Sequence, residues 1–294
     1  MLDCLIIGGG PAGLTAAIYL GRYRRTVRVL DSGESRALKI PLTHNYAGFK
    51  GIGGPDLLAR LREQAESFGT PVQTGRVSSL NRGPRHFTAS VAGKPIKAQF
   101  VLLATGLVDV VPELTGKPPA SDDAIRYCPI CDGYEAMDRR VGVLGTLQDA
   151  GEKALFLRTY TRRVAVFTTA ATDAPDDMRD RLLKAGIEIF PNEGPPEITF
   201  NNQVSMSIPN GDRRVVDVLY PALGCSPRSD LALSHGAARD GVGCLKVDAH
   251  QHTTVDGLYA AGDVVTDLHQ LSVAIGHAAI AATAIHKRLP ANPR

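Results

Sequence analysis

An α/β fold built of two similar strand–helix halves is what this sequence predicts, on three observations. Leu5-Ile6-Ile7 runs as a short apolar strand into Gly8-Gly9-Gly10-Pro11-Ala12-Gly13 and then into an Ala-rich helix through Leu20. The order strand, loop, helix, strand returns from Val141 onward. After Val242 the chain comes back to a strand, an Asp and a long helix, Gly257 to Asp263 and Leu271 to Leu289. That last pattern reads as the tail of the first half rather than a third unit. Strands alternating with helical patterns mark a parallel sheet covered by helices. A chain of 294 residues is long for one domain and comfortable for two.

In the first half, the glycines at 8, 10 and 13 fit a dinucleotide fingerprint. Gly8 permits the tight turn, Gly10 lets a pyrophosphate approach the backbone, and Gly13 lets helix and strand pack closely. The helix then offers its free N–H groups and positive dipole end to the phosphates. A second strand, Thr26 to Leu30, ends at Asp31, eighteen residues past Gly13. An acid about 20 residues on is the expected partner of the ribose hydroxyls. Pro55 to Phe68 carries Leu57, Leu58, Leu61, Ala65 and Phe68 at helical spacing, closed by Gly69, and reads as a packing helix. His86 to Val91 and Ile96 to Leu103 read as strands around an Ala92-Gly93 turn. Ala104-Thr105-Gly106 follows, small enough for the backbone to approach a ligand.

In the second half, Val141 to Leu144 is a strand, Gly145 opens a loop, and Ala150 to Tyr160 reads as a helix. Arg163 to Thr168 is the next strand, and Asp176 to Ala185 a helix stopped by Gly186. Strands follow near Glu197 to Phe200 and Val204 to Ile208. Asn210-Gly211 predicts a two-residue hairpin turn into a strand over Val215 to Leu219.

Composition bounds the function. A net charge of +3, with scattered basic doublets, gives no reason to expect a nucleic-acid partner. Met1 to Gly10 lacks a basic start and runs straight into the glycine loop, so it reads as a buried strand rather than a signal peptide. No apolar run is long enough to suggest a membrane span. Five cysteines, only two closely spaced, do not resemble a secreted disulfide framework and fit a reducing cytoplasm with one working pair.

That pair is Cys128-Pro129-Ile130-Cys131, followed by Asp132. A Cys-x-x-Cys turn brings two thiols within disulfide reach and lowers one of their pKa values. A zinc half-site would want a second such motif or a nearby His, and neither exists in the sequence, so no metal is expected. A pair of buried, inert cysteines is the remaining plain alternative. Cys4 lies in an apolar strand, and Cys225 and Cys244 stand alone; all three read as structural.

Together these residues resemble the low-molecular-weight thioredoxin reductases and their relatives over almost the whole chain. The matching pieces are the Gly8–Gly13 loop, His44-Asn45, Ala104-Thr105-Gly106, Cys128 to Gly133, and Ala260-Ala261-Gly262-Asp263 followed by His269-Gln270. The resemblance implies two Rossmann-like, three-layer dinucleotide-binding domains, the second inserted in the first. The first, 1–111 and 244–294, would bind FAD; the second, 112–243, would carry the dithiol. It implies a homodimer. It implies flavin contacts at Gly8, Gly10, Pro11, Ala12, Gly13, Asp31, Ser32, Arg36, Asn45, Val77, Thr105, Gly106, Asp263, His269, Gln270 and Leu271. Asp263 would hold the ribityl–phosphate region and Gln270 would lie near the isoalloxazine ring. Cys131 would face the flavin, Cys128 would attack the partner, and Asp132 would handle the thiol proton.

The second half departs from that family where a nicotinamide cofactor would bind. In place of a second glycine loop the chain reads Leu144-Gly145-Thr146-Leu147-Gln148-Asp149-Ala150. Leu147 is expected to put its side chain in the pyrophosphate's place, and Asp149 adds charge of the wrong sign. The His-Arg-Arg cluster that grips a 2′-phosphate in the family is replaced by Thr168-Thr169-Ala170-Ala171-Thr172-Asp173. The expectation is a disulfide reductase without NADPH, acting on a thioredoxin-like protein or a small disulfide and fed by a donor such as a ferredoxin-type protein. The alternatives are an oxidase that passes electrons from a small dithiol to oxygen, resembling enzymes of the gliotoxin and holomycin type, and an ordinary NADPH-dependent reductase. His269 and His277 are candidate bases for the oxidase. A flavin-binding module without turnover is a further possibility, against which the intact dithiol and Asp132 argue.

Overall fold

The computed structural model describes residues 1–116, 124–170, 176–266 and 268–293. It divides into two compact units, Met1–Val108 with Ser226–Arg294, and Asp109–Cys225.

The first unit begins β1 (Leu2–Ile7), α1 (Pro11–Arg22), β2 (Val27–Asp31), α2 (Gly54–Ser67), β3 (Val72–Thr74), β4 (Val77–Arg82), β5 (Phe87–Val91) and β6 (Lys94–Leu103). β7 (Leu107–Asp109) leads out of it. The second unit holds α3 (Pro129–Asp132), β8 (Val141–Gly145), α4 (Leu147–Leu157), β9 (Val164–Thr168), α5 (Asp176–Lys184) and β10 (Glu188–Phe190). It continues with β11 (Ile198–Phe200), β12 (Val204–Ser207), β13 (Arg213–Val216) and β14 (Val218–Ala222). β15 (Cys225–Pro227) leads back to α6 (Asp230–Leu233), β16 (Leu258–Ala260) and α7 (Leu271–Arg288). Among the described residues, no helix is long and apolar enough to cross a membrane.

In the first unit, β3, β2, β1, β6 and β16 pair in parallel, and β4–β5–β6 adds an antiparallel meander. Alternating side chains go to opposite faces of a strand. Cys4 and Ile6 accordingly enter one core with residues of α1, α2 and α7, while Leu5 and Ile7 enter another beneath the meander. Both faces of the sheet are thus buried, which explains why β1 reads as an unbroken apolar run. The return to this unit comes at Ser226, earlier than the 243/244 boundary expected from sequence. The physical reason is that Ala232 on α6 and Ala237 just after it pack in the core under the meander, with Leu245 and Leu258.

In the second unit, β10, β9, β8 and β14 form a parallel sheet, and β11, β12 and β13 an antiparallel one. α4 and α5 cover one face, with Leu147, Met178 and Leu182 buried there. The strand expected over Val215–Leu219 is in fact two, one in each sheet, broken at Asp217. The Asp217 carboxylate accepts the Arg140 backbone N–H at 2.8 Å and its guanidinium from two nitrogens. That guanidinium holds the Asp217 carboxyl below its ordinary pKa. The β12–β13 ladder continues to Ile208 and Asp212, so the hairpin tip is wider than the two-residue turn expected at Asn210-Gly211.

Candidate functional site

The first unit presents a cradle at the end of β1. Gly8 has φ +113°, and a Cβ there would lie 2.1 Å from the Ala104 carbonyl oxygen. A Cβ on Gly13 would lie 1.9 Å from the Gly8 oxygen. Both positions are therefore glycine because backbone packs against backbone. Gly10 differs: a Cβ there would meet only Ser35 Oγ, at 3.2 Å. Gly10 caps α1 without any side-chain hydrogen bond, with Pro11 opening the helix. The N-terminal N–H groups of a helix are orphan donors, so an uncapped end behind a side-chain-free backbone fits a phosphate. Ala12 packs against Gly262, which has φ +82°.

Around this loop the fold gathers most of the residues expected from sequence. Asp31, at the end of β2, accepts the N–H groups of Gly9 at 3.3 Å and Gly33 at 3.1 Å and an Arg62 guanidinium N–H at 3.2 Å. Ser32 follows, partly exposed. Arg36 pairs with Asp263 at 3.5 Å, both about one-fifth exposed. Asn45 donates to Gln270 Oε1 at 3.0 Å and accepts from Thr43 Oγ1 at 3.0 Å. Gln270 caps α7, with His269 before it and Leu271 opening the helix. Thr105 donates to the Arg228 carbonyl at 2.7 Å, and Gly106 has φ +66°. Val77 stands apart, buried in the core under the meander. His277, on α7, keeps a buried Nδ1 with no hydrogen-bond partner among the described residues, and burial holds its pKa below the ordinary imidazole range. The loop, the helix end and the ring of polar side chains fit a dinucleotide.

The second unit carries the dithiol on a single turn. Cys128 caps α3, and its carbonyl accepts the Cys131 N–H at 2.9 Å and the Asp132 N–H at 3.3 Å. The turn brings the two Cα atoms to 5.3 Å, and the sulfurs are joined as a disulfide. Gly133 completes the turn; a Cβ there would sit 2.7 Å from the Tyr160 ring. Ile130, Tyr134 and Met137 are exposed beside it. Two residues that sequence reasoning missed hold Asp132. Tyr220, fully buried on β14, donates its hydroxyl to Asp132 Oδ1 at 2.7 Å. Arg126, also buried, donates to the Asp132 carbonyl at 2.7 Å. A phenol inside the apolar run Val218–Ala222 was the available signal, since a buried Tyr hydroxyl seeks a partner. Of the other cysteines, Cys4 is buried and its thiol pushed up by desolvation. Cys244 is buried and Cys225 half-buried, neither in a disulfide.

The loop after β8 corrects one expectation. Leu147 does not point toward a ligand; it is the first residue of α4 and is 1% exposed in the core. What the start of α4 carries instead is a side-chain cap. Thr146 caps α4, its Oγ1 accepting the Asp149 N–H at 3.1 Å and its hydroxyl donating to Asp149 Oδ2 at 2.8 Å. The helix end already has its acceptor and its negative charge. Of the stretch expected to replace a 2′-phosphate grip, residues 171–173 lie outside the described residues.

Known proteins resemble the chain over nearly its whole length. The family described as pyridine nucleotide-disulphide oxidoreductase matches residues 2–280. A thioredoxin reductase of Listeria innocua is 28% identical over 291 residues, covering 95% of this chain and 91% of its own. The crystal structure of HlmI superposes with a TM-score of 0.88 at 27% identity, over 97% of this chain and 92% of that one. Thioredoxin reductase from Streptococcus pyogenes superposes with a TM-score of 0.87 at 26% identity, over 98% and 97%.

Proposed function

The chain belongs to the pyridine nucleotide-disulphide oxidoreductase family, and on that premise we propose that it exchanges electrons between FAD and Cys128/Cys131, and then with a thiol or disulfide substrate, without NADPH. It is a thioredoxin reductase-like FAD flavoprotein and an oxidoreductase acting on sulfur groups.

One contrast carries the reading: the two helix ends that follow β1 and β8 differ. α1 begins at Gly10 with no side-chain cap. α4 begins at Thr146 with its first turn capped and an acid in place. An anionic diphosphate is attracted to the first and repelled by the second.

FAD, when bound, supplies the two-electron partner that a dithiol/disulfide couple requires. Gly10 would let its phosphates approach the backbone, Asp31 would hold the ribose hydroxyls, Arg36 and Asp263 would hold the ribityl–phosphate region, and Asn45 and Gln270 would lie near the isoalloxazine ring. Cys128 thiolate attacks a substrate disulfide to give a mixed disulfide; Cys131 thiolate then attacks Cys128, releases the substrate as a thiol and restores the Cys128–Cys131 disulfide. With a dithiol substrate the same steps run in reverse. Asp132 takes or gives the thiol proton. The exposed Ile130, Tyr134 and Met137 offer the partner an apolar contact beside the sulfurs.

The test is anaerobic bleaching of the visible flavin absorbance by dithiothreitol, followed by admission of air. Bleaching is the expected result. Fast recovery in air assigns an oxygen-linked dithiol oxidase, and slow recovery assigns a reductase fed by another donor. Flavin that a dithiol cannot bleach contradicts the proposal.

A further inference from the structure

Beneath the Cys128–Cys131 turn lies a polar chain built on two buried side chains, Arg126 and Tyr220. Arg126 hydrogen-bonds to the Tyr220 phenol, and Tyr220 in turn donates to Asp132 Oδ1 at 2.7 Å. Arg126 also grips the Asp132 carbonyl at 2.7 Å, and the same carbonyl lies 3.2 Å from the Tyr220 oxygen. Arg126 and Tyr220 come from neighbouring segments of the sheet edge: the Arg126 N–H donates to the Leu219 carbonyl at 2.9 Å, one residue before Tyr220. Tyr220 is 0% exposed and Arg126 6%. Buried polar groups are costly unless paired, and removing one member of such a chain strands the rest. A phenylalanine at 220 would pack as well, so a phenol has been placed there for its hydroxyl.

The geometry points to Tyr220, backed by Arg126, as a positioning residue that fixes the Asp132 carboxylate beside the dithiol and sets how readily it accepts a thiol proton. This rests on the reading of Asp132 as the proton acceptor of the pair. In the step concerned, the S–H bond of one reduced cysteine breaks and an O–H bond forms on Asp132, leaving a thiolate; no electrons change hands. The phenol stays a donor throughout, because burial first and the neighbouring carboxylate second push its own ionisation far above the ordinary tyrosine range. A donor on the carboxylate favours its charged form. Arg126 strengthens that donor by drawing charge from the phenol oxygen. The hydrogen bond therefore favours the ionised form of the carboxylate and holds it in one orientation.

The experiment is the pH dependence of alkylation of the reduced, FAD-bound protein by iodoacetamide, compared among the wild type, Tyr220→Phe and Asp132→Asn. Flavin content and thermal unfolding report that each variant is folded. Alkylation of the pair reads the thiolates directly and does not depend on turnover. In Tyr220→Phe the inflection contributed by Asp132 is expected to move up by about one pH unit, a tenfold gain in proton affinity. In Asp132→Asn that inflection disappears. If Tyr220→Phe does not fold, a fluorinated tyrosine at Tyr220 keeps the ring and sharpens the donor, and the inflection is then expected to move down. A Tyr220→Phe or fluorotyrosine profile that superimposes on the wild type, beside an altered Asp132→Asn profile, overturns the assignment and leaves Tyr220 a packing residue. An Asp132→Asn profile identical to the wild type overturns the underlying reading of Asp132 as well.

Discussion

Cys131→Ser abolishes bleaching of the flavin by dithiols, lowering its rate by at least about a thousandfold, while the protein keeps its bound flavin and its fold. The size follows from the chemistry. The pair works as a unit, and a lone thiol has no partner with which to close a disulfide. The fold is spared because Cys131 lies on a surface turn of four residues, tied by backbone hydrogen bonds to Cys128 that a serine also makes. The two cysteines are not equivalent in this account. In Cys131→Ser, Cys128 still attacks a disulfide substrate but nothing releases it, so a stable mixed disulfide accumulates and is read by mass spectrometry. In Cys128→Ser the trapped adduct is absent and bleaching is lost all the same. Retention of dithiol-dependent bleaching in either variant would remove the pair from the pathway.

The second large effect separates two glycines of one loop. Gly8→Ala places a Cβ 2.1 Å from the Ala104 carbonyl at a φ of +113°, where a side chain is strained whatever the space. The strand and loop must shift, and the expected result is loss of folded protein, a cost above about 3 kcal/mol. Gly10→Ala meets only Ser35 Oγ, at 3.2 Å, so the apoprotein folds with an unfolding temperature within about 2 °C of the wild type. Its FAD affinity falls tenfold to a hundredfold, roughly what one or two charge-assisted hydrogen bonds to a phosphate are worth. Flavin fluorescence during titration of the apoprotein measures it. Equal FAD affinity in Gly10→Ala and wild type would mean that the dinucleotide does not lie against this loop.

What could be read from the sequence was what is local. The run from Leu5 through the glycine loop to Asp31 carries its own strand, turn and helix signals, and the structure has β1, α1 and β2 there. The dithiol turn is likewise spelled by four consecutive residues. What could not be read was decided by partners far along the chain. Asp132 is held by Tyr220, 88 residues away, and Asp31 by Arg62, 31 residues away. The break at Asp217 depends on Arg140, 77 residues earlier, so the apolar run Val215–Leu219 gave no hint of two strands. Leu147 looked like a side chain in a loop because the helix start was expected at Ala150. A capping Thr146 with Asp149 three residues later was present in the sequence, and that pattern starts a helix earlier.

The capped end of α4 is tested most directly by an anaerobic titration of the flavin's visible absorbance with NADPH, run beside the same titration with dithiothreitol. Bleaching by dithiothreitol, with no bleaching by an equal excess of NADPH, is the predicted result. Rapid bleaching by NADPH would contradict it: the Thr146–Asp149 cap would then not keep a nicotinamide dinucleotide from reducing the flavin, and the chain would act as an ordinary NADPH-dependent reductase.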